Sequence, residues 1–193
     1  MTQLEAARGG RLTPEMKYVA ETEKIDPEVL LKGIAAGRIV IPRNINREIE
    51  SPRGVGAGLR TKVNANIGTS ADFPDLEPEL EKLKAALDAG ADAVMDLSTG
   101  GDITFIRKQI LDLCPVPVGT VPMYEAAVAA IERKGSIVEM TEDDLFSAIE
   151  HQAREGVDFI TVHCGVTRES ISRLQKQGRI TDVVSRGGAF LTC

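Results

Sequence analysis

The chain has 193 residues, room for one ordinary domain with a substantial core. Apolar residues make up 42% and charged residues 27%, as in soluble globular chains, but aromatics are 4% and tryptophan is absent, so stacking platforms for single-stranded nucleic acid are poorly supplied. The net charge of −6 gives no footprint for a phosphate backbone. No run approaches the roughly 20 apolar residues of a membrane helix, and a start that carries Glu5 and no apolar stretch is not a secretory signal. The expectation is a cytoplasmic α/β protein with neither nucleic acid nor membrane as partner.

Residues 1–59 differ in character from the rest and read as a helical N-terminal extension. Thr13-Pro14-Glu15 and Asp26-Pro27-Glu28 each open a helix with a capping side chain followed by proline, and Gly37 closes the second after Leu30, Leu31 and Ile34. An apolar run, Ile39 to Ile41, stops at Pro42. Residues 43–60 then mix Arg43, Arg47, Arg53 and Arg60 with Pro52, Gly54, Gly56 and Gly58, which reads as a flexible basic loop.

From residue 60 a strand–helix rhythm sets in. Residues 62–67 read as a strand, and Leu76, Leu80, Leu83 and Leu87 as a helix closed by Gly90. Strands follow at 93–97, 117–121 and 159–163, with a fifth starting at 182–185. Helices are expected around Ile103, Ile106 and Ile110, over 124–131, from the cap Thr141, and through Ile171 and Leu174. Glu142, Asp143 and Asp144 fall in a helix's first turn, where the dipole favours acids, so they are not read as a catalytic pair. Gly90-Ala91-Asp92 and Gly156-Val157-Asp158 repeat one pattern: a helix-ending glycine, an aspartate two positions on, then an apolar strand. Alternation of this kind predicts βαβ units and a parallel sheet. Without G-x-G-x-x-G after the first strand, a (β/α) barrel fits better than a dinucleotide fold. Residues 60–193 are thus expected to form a partial barrel.

Parallel α/β folds bind ligands at the carboxyl ends of their strands. The strand ends here are Asn64-Ala65-Asn66-Ile67-Gly68, Met95-Asp96-Leu97-Ser98-Thr99, Gly119-Thr120-Val121-Pro122-Met123-Tyr124, His163-Cys164-Gly165 and Ser185-Arg186-Gly187-Gly188. Every one carries hydrogen-bonding groups. Each candidate also has a plainer role: Asn66 as a turn residue, Met95 as core, Tyr124 as packing with a wet hydroxyl, His163 as a structural histidine. His151 reads as part of a solvated helix face. Ser185 to Gly188 combines a hydroxyl, backbone N–H groups and a guanidinium, a set suited to phosphate. The turn Ser98 to Gly101 suits phosphate too, unless it is only a helix start. Cys114, Cys164 and Cys193 are widely spaced with no C-x-x-C pair, so no zinc or iron–sulfur site is legible and reduced thiols are expected.

Taken together, Leu12 to Met16, Val40-Ile41-Pro42, Val63 to Gly68, Val94 to Gly100, Pro115 to Pro122, His163 and Val184 to Gly188 resemble the phosphomethylpyrimidine synthase family of thiamin biosynthesis, along essentially the whole chain and in order. The resemblance implies an eight-stranded (β/α) TIM-type barrel, of which this chain holds about the first five strands. It implies a radical S-adenosylmethionine lyase with a [4Fe-4S] cluster plus zinc or iron. Such an enzyme converts 5-aminoimidazole ribonucleotide to hydroxymethylpyrimidine phosphate. Carried over, Asn66, Met95, Tyr124, His163, Ser185, Arg186 and Gly187 would bind that substrate. The family's cysteine triplet, late metal-binding histidines, Asp-Gly-Leu-Arg segment and following glutamate have no counterpart here. The expectation is therefore the substrate-binding front of a longer homodimeric enzyme, inactive alone. A 5-hydroxybenzimidazole synthase shares the substrate and much of the motif set. A non-catalytic phosphosugar- or nucleotide-binding domain is the alternative of another class.

Overall fold

A computed structural model describes residues 1–178 and 180–192; the thiol expected at Cys193 lies outside the described residues. The N-terminal portion is built as its caps dictate. Helix α1, Gln3–Arg8, starts with a reciprocal capping box between Thr2 and Glu5. Helices α2, Pro14–Glu23, and α3, Pro27–Ala35, have proline at their starts and capping hydrogen bonds from Thr13 and Asp26. Gly37 turns the chain after α3 at a φ of 69°. Met16, Val19, Leu30 and Ile34 pack with Ile39 and Ile41 in a small core of their own.

Residues 43–60 are not all the loop that their composition suggests but include a strand. A short strand β1, Ile39–Val40, pairs antiparallel with β2, Val55–Gly56, which the glycine and proline content conceals. Arg43 pairs with Glu15 of α2 at 2.9 Å, and the other three arginines of residues 43–60 are fastened to carboxylates of the second portion. Arg47 binds Asp158, both nearly fully buried, and donates to the carbonyls of Leu111 and Val116 at 3.0 and 3.2 Å. Arg53 and Arg60 converge on the buried Asp92. A buried carboxylate is stable only when paired and hydrogen-bonded, and that demand draws the basic segment onto the sheet.

The second portion is a parallel sheet in the order β3 (Asn64–Ile67), β4 (Ala93–Asp96), β5 (Val118–Thr120), β6 (Phe159–Ile160). The crossovers are α4 (Leu76–Asp88), α5 (Ile103–Leu113), and the pair α6 (Pro122–Lys134) and α7 (Glu142–Glu155). Ile67, Val94 and Val118 bury one face of the strands against Leu83, Ile106, Ile110 and Leu111. Parallel strands in sequential order joined by helical crossovers are compatible with a (β/α)-barrel type of sheet. The repeated glycine–aspartate pattern finds its reason here. Gly90 and Gly156 leave their helices at positive φ, and Asp92 and Asp158 accept the N–H of Val63 and Val118, each at 2.9 Å, tying each strand to the one before.

The strand count falls short of expectation. Among the described residues four parallel strands form, not five. Residues 182–185 are not a strand, because β6 pairs through only two residues and gives them no ladder to extend. The segment ends instead at Ser185, whose hydroxyl accepts from Gly188 N at 3.1 Å and caps α9, Arg186–Phe190. Ahead of it lies α8, Arg168–Gln177, capped by Thr167.

Candidate functional site

Strand alternation decides which side chains are free of the core. With Ile67 and Val94 turned to the helices, Asn66 and Met95 fall on the opposite face. The register sets Asn66 beside Met95, Met95 beside Gly119 and Gly119 beside Phe159, one row across the sheet. Within it, Asn64 Nδ2 donates to Asn66 Oδ1 at 2.9 Å, and Thr161 Oγ1 lies 3.8 Å from Met95 Sδ. Gly119 has no side chain because the Phe159 ring occupies that space; a Cβ there would overlap it.

At the carboxyl end of this row a cavity of about 440 Å³ is lined by Asn66, Gly68, Thr69, Lys82, Tyr124 and Arg186. The Arg186 guanidinium lies 5.4 Å from the Tyr124 ring centroid, a cation–π distance, and Phe190 meets the same ring edge-on at 6.1 Å. No carboxylate pairs with Arg186 among the described residues. Three sequence candidates, Asn66, Tyr124 and Arg186, therefore share one cavity. His163 and Gly187 form a second group: the imidazole lies against Gly187, where a Cβ would collide with it. His163 Nδ1 is buried with no hydrogen-bond partner among the described residues. Ser185 stands apart as the cap of α9 and lines a separate, mostly apolar hollow with Val166 and Leu174. Its hydroxyl accepts a backbone N–H, and Ser185 is not among the residues lining the Asn66 cavity.

The cavity rim is held from beneath by two buried carboxylates. Asp96 Oδ1 accepts from Ser98 N at 2.9 Å and from the Ser98 hydroxyl, which in turn accepts Thr69 N at 3.1 Å. Burial pushes the Asp96 carboxyl above its ordinary range, against the pull of these hydrogen bonds. Thr69 Oγ1 donates to Gly100 O at 2.6 Å, and Thr99 N to Thr69 O at 2.9 Å. The turn from Ser98 thus spends two of its amides on internal ties and, with Asp102 capping α5, serves as a helix start. Glu79, 2% exposed, accepts Gly68 N at 2.7 Å.

Sequence reasoning did not find Lys82, Glu79, Phe159 or Thr161. Lys82 and Glu79 sit on α4, where periodicity reads them as polar helix positions, and only the fold brings them to the end of β3. His151, expected on a solvated face, is 45% exposed and reaches Glu125 at 3.0 Å. Glu125 also holds the buried Arg107 at 2.9 Å and Gln152 at 2.6 Å, so this network joins α5, α6 and α7 on the outer side. Asp144 completes a capping box with Thr141, as its first-turn position implies.

Among the described residues no group of three or more His, Cys, Asp or Glu side chains could hold a metal; Cys114 is buried and Cys164 exposed. The residues present do not fit an iron–sulfur cluster. No helix among them is long and apolar enough to cross a membrane.

A parallel sheet whose strand ends rim a cavity with an unpaired guanidinium has the arrangement at which α/β proteins in general bind ligands. The chain belongs to the radical SAM ThiC family, whose model matches residues 2–193. It is 61% identical over its whole length to a phosphomethylpyrimidine synthase of Moorella thermoacetica, of which it covers 44%. It is 60% identical over 98% of its length to one from a Thermoanaerobacter species, again covering 44%. Identity to phosphomethylpyrimidine synthase 2 of Methanothermobacter thermautotrophicus is 58% over 99% of the chain and 45% of that protein. The chain thus spans less than half the length of these curated relatives.

Proposed function

We propose that this chain is the substrate-binding part of a phosphomethylpyrimidine synthase that acts on 5-aminoimidazole ribonucleotide. The observation that carries the reading is the family match along residues 2–193, joined to a strand-end cavity rimmed by Asn66, Tyr124 and Arg186. The sheet, on this reading, is an arc of an eight-stranded (β/α) barrel. The Asn66 amide, tied on one side to Asn64, offers directional hydrogen bonds to the aminoimidazole or ribose. Met95 gives the apolar bed beside it, and Tyr124 a ring and a hydroxyl. His163 brings a buried ring nitrogen in want of a partner, and Arg186 a charge for the phosphate. Gly187 makes room for the His163 ring, and Ser185 starts the helix that carries Arg186.

S-adenosylmethionine, a [4Fe-4S] cluster and a further zinc or iron belong to the same proposal. Their ligands are not among the residues described, so the work of this chain is to bind and orient the substrate. A cytoplasmic homodimer is proposed on the resemblance alone. The names of the relatives favour the pyrimidine product over a benzimidazole.

The complete reading frame that encodes this chain, reconstituted anaerobically with iron, sulfide and S-adenosylmethionine, should consume 5-aminoimidazole ribonucleotide. Mass spectrometry should find hydroxymethylpyrimidine phosphate as product. Ligand binding without turnover would favour a non-catalytic nucleotide-binding domain, and a benzimidazole would move the chain to the other branch.

A further inference from the structure

The cavity at the end of β3 holds a second cation that no strand-end motif announces. Lys82, on the second turn of α4, lines it together with Asn66 and Arg186. Its ammonium pairs with the buried Glu79 and donates to Gly68 O at 3.4 Å. An ammonium has three N–H donors, so one remains, on a side chain that is 50% exposed. Both Glu79 oxygens are occupied, one by Lys82 and the other by Gly68 N at 2.7 Å. The carboxylate therefore fixes the ammonium at the rim.

The backbone of the adjoining turn cannot do this work. Gly68 N is taken by Glu79, Thr69 N by the Ser98 hydroxyl, and Ser70 N by Phe73 O at 3.2 Å. No nest of free amides is left there for an anion. Recognition of negative charge at this wall rests on side chains, and the cations lining the cavity are Lys82 and Arg186.

We propose that Lys82, held by Glu79, contacts the phosphate of the bound ribonucleotide from the wall formed by α4 and the end of β3, as a second cation beside Arg186. This rests on the ribonucleotide reading given above. It makes Lys82 a residue that separates nucleotide from nucleoside.

The test measures, by calorimetry on the complete protein, the affinity for 5-aminoimidazole ribonucleotide and for its dephosphorylated riboside. The Lys82→Met variant should bind the ribonucleotide about tenfold more weakly, with riboside affinity unchanged, since one charge-assisted hydrogen bond is removed. Lys82→Arg should keep most of the difference between the two ligands. Glu79→Gln should reduce it in part by loosening the ammonium. Equal weakening toward both ligands, or none toward either, would overturn the assignment. Wild-type protein that ignores the aminoimidazole ligands but binds inorganic phosphate in a Lys82-dependent way would remove the ribonucleotide reading and leave Lys82 as an anion contact.

Discussion

Gly187 shows how a single missing side chain sets the position of another residue. The His163 ring lies where its Cβ would be, so Gly187→Ala must push the imidazole away from its buried seat. Affinity for 5-aminoimidazole ribonucleotide should fall about tenfold, or about 1.4 kcal/mol, with the far-ultraviolet spectrum unchanged. An unaltered dissociation constant would mean that His163 stands outside the ligand's reach. The residues at strand ends were legible in the sequence because parallel sheets put ligands there whatever the chemistry. Lys82 was not, since a lysine on the polar stripe of a helix looks the same whether it meets water or a ligand. Ser185 was read as a phosphate group's partner; its hydroxyl accepts Gly188 N as a helix cap, which leaves its O–H to donate elsewhere.

Among elements, the lesson of residues 43–60 is that composition describes a segment and not its partners. Glycine, proline and arginine together read as loop, and the acids next to Arg47 in the sequence, Glu48 and Glu50, are not its partners. Its acid lies in the Gly156-Val157-Asp158 repeat, a pattern visible in the sequence whose purpose needed the fold. Burial raises the Asp158 carboxyl above its ordinary range, and Val118 N, Asn44 N and Arg47 answer that cost. Arg47→Ala should therefore destabilise the protein by about 3 kcal/mol in urea unfolding, because it strands a buried charge. A change within experimental error would show that the two backbone amides suffice. Three helices, by contrast, were legible through their caps: Thr13, Asp26 and Thr141 all hydrogen-bond the first turns they open. The segment 182–185 failed as a strand for the opposite reason, since a strand is defined by its neighbour and no local signal supplies one.

For the whole molecule, charge pairing sets the response to acid. Burial pushes the Glu125 carboxyl up, but Arg107, Gln152 and His151 outweigh it and hold the group below its ordinary range. A carboxylate lowered in the folded state adds stability above its unfolded pKa of about 4.3 and loses it as pH falls through the folded value. Thermal midpoints should thus decline as pH is taken from 6 to below about 4. Glu125→Gln should flatten that decline while lowering stability at pH 6, where the pairing with Arg107 is lost. An identical pH profile in the variant would place the acid-sensitive groups elsewhere. The parallel sheet itself was legible from the alternation of strands and helices, whereas strand lengths were not: 159–163 was expected, and only Phe159–Ile160 pairs as a strand.

The bond between Arg47 and Asp158 joins positions 111 residues apart. During synthesis at roughly 5–20 residues per second, the arginine waits on the order of ten seconds for its acid to emerge. Until then the N-terminal helices can gather around Met16 and Leu30, β1 can pair with β2, and Arg53 and Arg60 can reach Asp92, but the stretch at Arg47 lacks its acid. The clasp between Arg47 and Asp158 therefore cannot close before residue 158 has emerged, and a nascent chain halted short of it should leave the stretch around Arg47 open to proteases while α1 to α3 are already protected.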